Sequence, residues 1–368
     1  MRIDSLQLFQ FRNYKDITIK FNPEIIVLHG DNGVGKTNIL ESIYVGTIGK
    51  SHRTNDTADM LMFNADESGI VINFEKRETA QKVNLKLYRK GSKDIRLNDT
   101  KISQKELIGT LNTVIFCPED LQLIKGNPSG RRRFLDMEIS QTSATYYHQL
   151  LQYNRLLQQR NTLLKEYRGK QSIPLEEWDL QLADMAAFIV KKRLESLKKI
   201  NLLIDLMNRK LTAGQENLTI GYEQNYGDEN TIVYTRDEFY QLLQEALPQD
   251  RHRLTTSVGP HRDDLRFFSG AMDLKKYGSQ GQQRTAVLSL KLSELEFIKS
   301  EVGEYPVLLL DDVLSELDEL RRSNLLHFIH KRIQTFITTT DIHDFKYMDH
   351  VQFIKCKGGT INATNGKP

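Results

Sequence analysis

The fold is decided by Gly30-Asp31-Asn32-Gly33-Val34-Gly35-Lys36-Thr37, an octapeptide that directly follows the apolar run Ile25-Ile26-Val27-Leu28. The octapeptide fits the pattern G-x-x-x-x-G-K-[ST] at every required position. Backbone N–H groups of such a loop cradle phosphate oxygens, and the helix that opens at Asn38 turns its positive dipole end toward them. The alternative is a plain glycine-rich turn, but a strand before the loop and a helix after it favour a nucleotide site.

Two side chains of this loop have predicted tasks. Lys36 is expected to reach the β- and γ-phosphates, and the Thr37 hydroxyl is expected to ligate Mg²⁺. ATP and Mg²⁺ are therefore the predicted cofactors. The remaining predicted nucleotide contacts are Gly30, Asp31, Asn32, Gly33, Val34, Gly35 and Asn38.

A second stretch supplies an acid for the metal. Val307-Leu308-Leu309-Leu310-Asp311-Asp312 is typical of a strand that is buried on both faces of a parallel sheet, followed here by two carboxylates. Adjacent carboxylates repel each other and are costly to desolvate, so a cation or a reacting water is the expected reason for them. Asp311 is predicted to hold Mg²⁺ through water, and Asp312 to polarise the attacking water.

The composition sets the class of protein. The chain has 368 residues, of which 39% are hydrophobic and 27% charged, with a formal net charge of +3. That charge excludes a histone-like polycation and leaves nucleic-acid binding to local basic patches. The apolar runs are far shorter than the ~20 residues of a membrane span, and the N-terminus lacks a signal peptide's apolar region. Two cysteines, Cys117 and Cys356, fit a reducing cytoplasm.

The order of the patterns predicts an α/β head that is interrupted by a helical lobe. Short strands with period two fill most of the chain up to about residue 120, with one helix after the phosphate loop. Apolar residues then recur every seven positions over Leu150–Leu164 and Ala183–Leu211, across a break at Gly169–Pro174, which predicts an antiparallel helix hairpin. We predict the ATP-binding head at 1–122 and 255–368, and the helical lobe at 123–254. For the apolar stripes alone, a helical subdomain without a binding role is the alternative.

One basic run stands at a predicted helix start. Arg131-Arg132-Arg133 follows Gly126-Asn127-Pro128-Ser129-Gly130. Cations are disfavoured at a helix N-terminus, so these three need an acidic partner such as a DNA phosphate. We take the triplet as the DNA-binding candidate. Solvated helix faces are the competing interpretation, and they are as plausible for Lys191-Lys192-Arg193 and for Arg251 with Arg253.

A third motif predicts a second phosphate contact. Ser279-Gln280-Gly281-Gln282 opens a helix about twenty-five residues before the double acid, where a hydroxyl, N–H groups and a helix dipole converge on an anion. A nucleotide in the first loop does not need a second helix N-terminus of its own chain. This order resembles the ABC-type ATPases, in which the signature of one subunit closes on ATP held by the other. Ser279, Gly281 and Gln282 are thus expected to act in trans; an ordinary N-cap is the alternative.

Further stretches narrow the resemblance. Leu314-Ser315-Glu316-Leu317-Asp318 looks like the D-loop of that superfamily, which implies Asp318 at a dimer interface. Phe11-Arg12-Asn13-Tyr14 is similar to the N-terminal stretch of SMC-like DNA-repair ATPases, in which the arginine reaches the nucleotide; for Arg12, a surface salt bridge is the alternative. The chain resembles the RecF family of bacterial recombination mediators in Phe11–Tyr14, Lys50–Thr54, Pro118–Leu121, Arg131–Asp136, Gly259–Leu265 and Ser279–Arg284.

The resemblance implies more than the residues alone do. It implies an ABC-type, SMC-like ATPase that dimerises around two ATP molecules, binds DNA as a homodimer and hydrolyses ATP slowly. It also implies action with RecR and RecO to load RecA at single-strand gaps and stalled forks, with a role in SOS induction and stimulation by DNA. The residues by themselves indicate only a dimer that depends on Mg²⁺ and ATP and carries a basic surface.

Three positions depart from the broader ABC pattern. Asp312 stands where a glutamate usually polarises water, and its shorter side chain predicts slow turnover. Glu119 falls near the usual γ-phosphate-sensing glutamine, and its role there stays open. Thr340 stands where a switch histidine is common, and is the switch candidate. These departures favour a timer over a motor.

Three functions from different classes fit the sequence. The first is an ATP-dependent DNA-binding dimer of gap repair. The second is a transporter ATPase subunit, against which the helix hairpin and Phe11–Tyr14 argue. The third is a nucleotide-gated scaffold whose output is partner binding.

Overall fold

The computed structural model describes the whole chain except residues 23, 168–173, 213, 215, 228–230, 346–348 and 366–368. Most of the predicted break at 169–174 thus lies outside the described residues. Over the described part, no helix has both the length and the apolar character of a membrane span. The chain divides into two compact units, Met1–Asp120 with Glu294–Pro368, and Leu121–Ser293.

The strands of the described chain are β1 (Arg2–Phe11), β2 (Tyr14–Lys20), β3 (Ile25–His29), β4 (Glu67–Lys76), β5 (Thr79–Tyr88), β6 (Lys93–Leu97), β7 (Thr100–Ile102), β8 (Thr113–Phe116), β9 (Leu218–Glu223), β10 (Asp264–Ser269), β11 (Met272–Asp273), β12 (Val307–Asp311), β13 (Thr335–Thr339), β14 (Val351–Lys357) and β15 (Thr360–Asn365).

Its α-helices are α1 (Lys36–Ile48), α2 (Gln104–Leu107), α3 (Gln122–Lys125), α4 (Pro128–Thr142), α5 (Ala144–Glu166), α6 (Glu176–Leu211), α7 (Arg236–Arg253), α8 (Leu274–Tyr277), α9 (Gln280–Val302) and α10 (Glu319–Ile329).

The first unit packs one helix between two sheets. One sheet has the order β2-β1-β4-β5-β6-β7 and is antiparallel throughout. The other has the order β15-β14-β3-β13-β12-β8 and is parallel except for its last hairpin, β14-β15. The helix α1 contacts strands of both sheets, and Ile39, Leu40 and Ile43 on it are fully buried in one shared core. The predicted α/β head is confirmed in this respect.

The parallel sheet brings the two predicted halves of the ATP site together. β13 lies between β3 and β12, and all three run in the same direction. The carboxyl ends of parallel strands meet at one edge of a sheet, where α/β folds bind their ligands. The phosphate loop follows β3 and the double acid ends β12, so both lie at that edge.

The second unit is larger than the predicted lobe. It contains α4 to α7 and a three-stranded antiparallel sheet of order β11-β10-β9. The predicted lobe ends at residue 254, whereas the compact unit extends to Ser293. The pairing of β10 with β9 explains the difference, because it holds the segment after residue 254 to the sheet of this unit.

The predicted helix hairpin is confirmed by the direction of its contacts. Arg160 on α5 contacts Asp179 on α6, and Tyr146 on α5 contacts Arg193 on α6. The residue number falls along one helix as it rises along the other, so the two helices are antiparallel. The helix predicted from the capping box at Thr235 is confirmed as α7, with the Thr235 hydroxyl accepting from Glu238 N–H.

The buried face of α5 differs from the predicted leucine stripe. Leu164 is buried, but Leu151 is 42% exposed. The face is set instead by Tyr146, Tyr153 and Arg160, which also recur every seven residues and are all at most 2% exposed. These side chains are large and hydrogen-bonded, which an apolar periodicity does not detect.

Candidate nucleotide-binding site

The backbone of the phosphate loop can be built only with glycine at two of its positions. Gly30 and Gly35 have φ angles of +140° and +109°, in the region that favours glycine. A Cβ atom at Gly30 would lie 2.5 Å from the carbonyl oxygen of Cys356, and one at Gly35 would lie 2.4 Å from Asn13 Nδ2. The fold of the first unit therefore requires both glycines for its own packing.

Side chains of the β1-β2 connection hold this loop in place. Asn13 Nδ2 donates to the Val34 carbonyl at 3.0 Å, and the Tyr14 hydroxyl donates to the Gly35 carbonyl at 3.1 Å. Asn38 in turn donates to Asn13 Oδ1 at 2.9 Å. The family resemblance drew attention to Asn13 and Tyr14 only as neighbours of Arg12. In the structure they fix the shape of the loop.

Lys36 lies over the beginning of the loop. Its Nζ atom donates to the carbonyls of Gly30 and Asp31 at 2.7 and 2.8 Å. Both acceptors are neutral, so the ammonium charge stays available to an anion bound in the loop. This position agrees with the predicted phosphate contact.

The predicted metal-binding residues are in direct contact. Thr37 Oγ1 donates to Asp311 Oδ1 at 2.8 Å, although the two residues are 274 positions apart. Thr338 Oγ1, at the end of the central strand β13, donates to the same oxygen at 2.7 Å. Thr338 also accepts from the N–H of Asp312 at 2.8 Å. Thr338 therefore positions both acids, a role that sequence reasoning missed.

These groups fit Mg²⁺ better than a metal held by protein alone. Over the described residues, no group of three or more His, Cys, Asp or Glu side chains is arranged to hold a metal. Magnesium in nucleotide sites takes a hydroxyl and a carboxylate and completes its shell with phosphate and water. Thr37 and Asp311 supply these two oxygen donors, so they are the residues that would hold the ion.

Asp312 has an unusual backbone that turns it out of the sheet. Its φ angle is +53°, a left-handed conformation that aspartate adopts more readily than most residues. The side chain is exposed at the edge of the sheet, and Ser315 Oγ donates to the Asp312 carbonyl at 2.7 Å. The predicted role of this exposed carboxylate, polarising the attacking water, stays a prediction.

Arg12 belongs to a charge cluster that surrounds one buried acid. It makes a bidentate contact with Glu41 of α1, with N···O distances of 2.8 and 2.6 Å. Arg53 and Ser51 bind the same carboxylate at 3.2 and 2.6 Å, and Arg53 also donates to Asn38 Oδ1. Burial raises the pKa of Glu41, but the hydrogen bonds and charges of Arg12, Ser51 and Arg53 outweigh it and lower that pKa.

Two cations thus share one fully buried carboxylate next to the phosphate loop. Glu41 is 0% exposed, whereas the Arg12 and Arg53 side chains are 20% and 44% exposed. The cluster carries a net positive charge toward solvent. It keeps Arg12 near the helix start, and the predicted nucleotide contact stays a prediction. Neither Glu41 nor Ser51 is indicated by the loop pattern, since both act only through tertiary contacts.

The predicted signature forms a reciprocal cap at the start of α9 in the second unit. The Ser279 hydroxyl accepts from Gln282 N–H at 3.2 Å, and Gln282 Oε1 accepts from Ser279 N–H at 3.0 Å. This is a capping box with glutamine in the third position. The N-cap alternative thus describes the local structure. The predicted contact in trans stays a prediction, and the exposed positions of Ser279 and Gly281 permit it.

Gly281 is not required by the packing of this chain. A Cβ atom there would have a single neighbour within 4 Å, Ser279 Oγ at 3.9 Å, and its φ angle is ordinary for a helix. Glycine weakens a helix interior by about 1 kcal/mol relative to alanine. The space around Gly281 leaves room for another molecule to approach, and that approach stays a prediction.

The remaining predicted residues are exposed. Asp318 caps α10 by accepting from Arg321 N–H at 2.9 Å, and its side chain is 49% exposed. Glu119 lies in a short 3-10 turn, Pro118–Leu121, and is exposed. Thr340 follows β13 and is exposed as well. Their predicted roles at an interface, as a phosphate sensor and as a switch all stay predictions.

The arginine triplet separates into three different environments. Arg131 is 2% exposed and makes a bidentate contact with Asp264 at 2.7 and 2.8 Å. Its acidic partner is therefore a residue of the same unit, and the DNA hypothesis passes to the other two. Arg132 is half-buried and donates to the Asp263 carbonyl at 2.6 Å, and Arg133 is exposed.

Comparison with known proteins decides the family. The model described as RecF/RecN/SMC N terminal domain matches residues 2–362. The chain belongs to this family. It is 45% identical over 366 residues to the DNA replication and repair protein RecF of Alkaliphilus oremlandii, covering 97% of this chain and 99% of that one. It is 42% identical over 365 residues to the RecF of Clostridium novyi, covering 98% and 100%.

Solved structures of the family agree with the architecture. A structure described as the recombination mediator protein RecF-ATP in the RecFOR pathway has a TM-score of 0.92 at 34% identity, covering 99% of this chain and 98% of that one. An Smc head bound to the C-winged helix domain of ScpA has a TM-score of 0.59 at 16% identity, covering 100% and 98%, and shows the fold alone. The predicted ABC-type, SMC-like ATPase fold is confirmed.

Proposed function

We propose that this chain is an ATP-driven DNA-binding protein of recombinational repair and replication-fork maintenance. Two copies close around two ATP molecules while they are on DNA, and slow hydrolysis opens them again. The observation that carries the proposal is the contact of Thr37 with Asp311 at the edge of the parallel sheet. It joins the phosphate loop to the acid that a nucleotide-bound metal needs. Membership of the RecF/RecN/SMC family supports DNA as the partner and argues against a transporter subunit.

Different residues of the site have different roles in ATP binding and hydrolysis. N–H groups of the loop and the Lys36 ammonium bind and orient the phosphates. Thr37 and Asp311 hold Mg²⁺, which neutralises phosphate charge when it is bound. Asp312 orients the attacking water and accepts its proton. Because its side chain is one methylene shorter than glutamate, the carboxylate reaches this water less well, and turnover is slow.

In this proposal, dimerisation depends on the N-terminus of α9. Ser279, Gly281 and Gln282 of one copy would contact the nucleotide of the other, with Asp318 at the same interface. The space around Gly281 and the exposure of Ser279 support this contact. ATP thereby becomes the condition for closure, and its hydrolysis sets the time the dimer stays closed.

The cellular role is carried over from the relatives. Structural neighbours of this chain are described as recombination mediators of the RecFOR pathway. We infer that the dimer acts in the cytoplasm with RecR and RecO, helps load RecA at single-strand gaps, and contributes to the SOS response. DNA is expected to stimulate its ATPase activity.

Sedimentation with ATP and defined DNA tests the proposal, with wild type beside Lys36→Ala. Wild type should sediment as a dimer on DNA only with ATP, and retention should fall as salt rises. Lys36→Ala should lose both the dimer and the retention. A wild type that retains no DNA with ATP would refute the DNA role and favour a partner-binding scaffold.

The variant Ser279→Arg tests whether the N-terminus of α9 contacts the nucleotide of the partner copy or that of its own chain. This variant should keep ATP affinity as a monomer and lose ATP-dependent dimerisation. Loss of ATP affinity in the monomer would instead assign the signature to its own chain's nucleotide.

A further inference from the structure

Two classes of arginine in the second unit differ in their partners. Members of the first class are buried and paired with aspartate, so their charges are balanced inside the unit. They are Arg131 with Asp264, Arg160 with Asp179 and Asp250, and Arg193 with Asp136.

Members of the second class line one cleft and have no acidic partner. Arg132, Arg253 and Arg262 face an open cavity of ≈ 750 Å³. In the described part of the chain, none of the three makes a salt bridge. Arg132 donates to the Asp263 carbonyl, and Arg262 donates to the Thr256 carbonyl at 3.1 and 2.8 Å. Carbonyl oxygens fix the two guanidinium groups, and Asp136, Asp263 and Asp264 act on Arg132 only from beyond salt-bridge distance.

Over its described lining, this cleft carries a positive charge on balance. Its described lining includes three arginines and a single acidic side chain, Glu245 on α7. His261 does not add to the charge at neutral pH, because burial lowers its pKa to about 4. Its Nε2 atom lies 3.1 Å from the Thr256 carbonyl and its Nδ1 atom 2.6 Å from the Tyr153 hydroxyl. A carbonyl can only accept, so Nε2 carries the proton and Nδ1 accepts from Tyr153.

The sequence motif Gly259–Leu265 builds one wall of the cleft. His261 and Arg262 face the cavity, whereas the next two residues are directed into the unit. Asp264 holds Arg131, and the buried Asp263 accepts from Tyr226 Oη at 2.6 Å. The contacts described for this motif therefore all lie within the second unit. The motif sets the position of unpaired cations on a concave surface.

The lining indicates what kind of anion fits. A protein segment that docks in a groove needs apolar pockets for anchoring side chains. Here most of the lining between the arginines is polar, with hydroxyl and amide groups that suit phosphate and sugar oxygens. The cavity also lies in the ~300–1,000 Å³ range of ligand sites, which is more than one small anion needs. The polar groups are Asn127, Ser129, Asn225, Gln249 and Ser257.

We propose that this cleft binds the phosphodiester backbone of a nucleic-acid strand, with Arg132, Arg253 and Arg262 contacting phosphates. The inference rests on the proposed DNA-binding function and names the site that performs it. Guanidinium groups bind phosphate oxygens in bidentate geometry, and three of them on separate elements can follow successive phosphates. The N-terminus of α4, at Asn127 and Ser129, adds partial positive charge at one end.

Arg253→Ala tests the cleft, with Arg236→Ala as the matched control. Both residues lie on α7, both are exposed, and neither makes a described hydrogen bond or salt bridge. Each change removes one positive charge, so only position differs. Affinity for labelled single-stranded and duplex 20-mers is measured by anisotropy with ATP over a salt series. Thermal melting of each variant confirms that it folds.

Arg253→Ala should weaken DNA binding about 3- to 10-fold and reduce the slope of log affinity against log salt by about 1. Arg236→Ala should bind DNA with the affinity of wild type. The loss of DNA affinity should be larger in Arg253→Glu than in Arg253→Ala. Whichever of the two 20-mers, single-stranded or duplex, loses more affinity in Arg253→Ala is the form of DNA that occupies the cleft. If Arg253→Ala and Arg236→Ala bind DNA with equal affinity while wild type binds DNA, the cleft is not the DNA-binding site. The proposed function would be unaffected by that result.

Two other outcomes are distinguished in the same assay. If wild type binds no DNA with ATP, the proposed function and the cleft fail together. A poly-glutamate peptide is titrated in parallel. If Arg253→Ala loses affinity for this peptide but not for DNA, the cleft accepts an acidic protein segment, and the nucleic-acid assignment is wrong.

Discussion

Two helices of this chain begin at glycine-containing segments that were predicted to face phosphate, and their glycines differ. Before α1, Gly30 and Gly35 have left-handed φ angles and no room for a Cβ atom. At α9, Gly281 has an ordinary helical backbone and open space around it. The first pair is required by the fold of its own unit. The second glycine costs helix stability and gains nothing within its own chain.

The difference separates two reasons for the same residue. Replacing a glycine that the fold needs disturbs the packing and the ligand site together. Replacing a glycine that the packing does not need leaves the fold in place, so weaker assembly of the alanine variant would indicate a contact with another molecule. The loop before α1 is thus shaped by its own unit, whereas the contact of α9 with a second copy stays a prediction.

The largest effect is expected for Gly35→Ala. The added Cβ meets Asn13, and the left-handed backbone costs an L-residue roughly 1–3 kcal/mol. ATP affinity, measured by calorimetry, should fall at least about 100-fold because the loop N–H groups are displaced. Gly33→Ala is the control: its φ of +79° is also strained, but a Cβ there has no neighbour within 4 Å. Equal losses in both variants would show that backbone strain, and not the contact with Asn13, fixes the loop.

An intermediate effect is expected for Gly281→Ala. The monomer should be unchanged or more stable by up to about 1 kcal/mol, because alanine is the better helix former. ATP affinity of the monomer should not change. ATP-dependent dimerisation, measured by analytical ultracentrifugation, should weaken about tenfold or more if the partner's nucleotide approaches this position. If Gly281→Ala dimerises normally with ATP, the partner's nucleotide does not approach Gly281, and the proposed difference between the N-termini of α1 and α9 is wrong.

The smallest effect is expected on acidification and concerns Glu41 on α1. The pKa of Glu41 is lowered in the folded protein, so the ionised carboxylate stabilises the fold above its unfolded pKa, near the ordinary glutamate value of 4.5. This stabilisation is lost as the pH falls through the lower folded pKa. Urea unfolding between pH 7 and pH 3 should show this loss, and Glu41→Gln should reduce it. An unchanged pH profile in Glu41→Gln would show that Arg12 and Arg53 do not depend on this acid.

The sequence predicts those parts of the site that depend on local pattern. The phosphate loop, the double acid and the helix after each are signalled by residues that are neighbours in the chain. Thr338, Asn13 and Glu41 are not, because their roles depend on which strands and helices pack together. Thr338 reaches Asp311 only because β13 lies beside β12. The order of strands in a sheet depends on all of its strands and is not written in any one local segment.

The helical lobe shows the same limit in its charges. Arg131 was expected to face phosphate, but Asp264, 133 residues later, neutralises it. Arg160 is 0% exposed on a helix whose apolar pattern does not indicate a buried charge. A charge becomes buried when partners from distant segments converge on it, which no periodicity along one helix records.

The strand order of the parallel sheet also has a consequence for synthesis. β3 ends at the phosphate loop, and both of its neighbours, β13 and β14, are made from the last part of the chain. At ~5–20 residues per second, the ribosome needs roughly a quarter of a minute to a minute to reach them. During that time the nascent chain carries the complete loop sequence without the sheet that shapes it. Prematurely ended chains are therefore expected not to compete for ATP, and only finished molecules enter the nucleotide cycle.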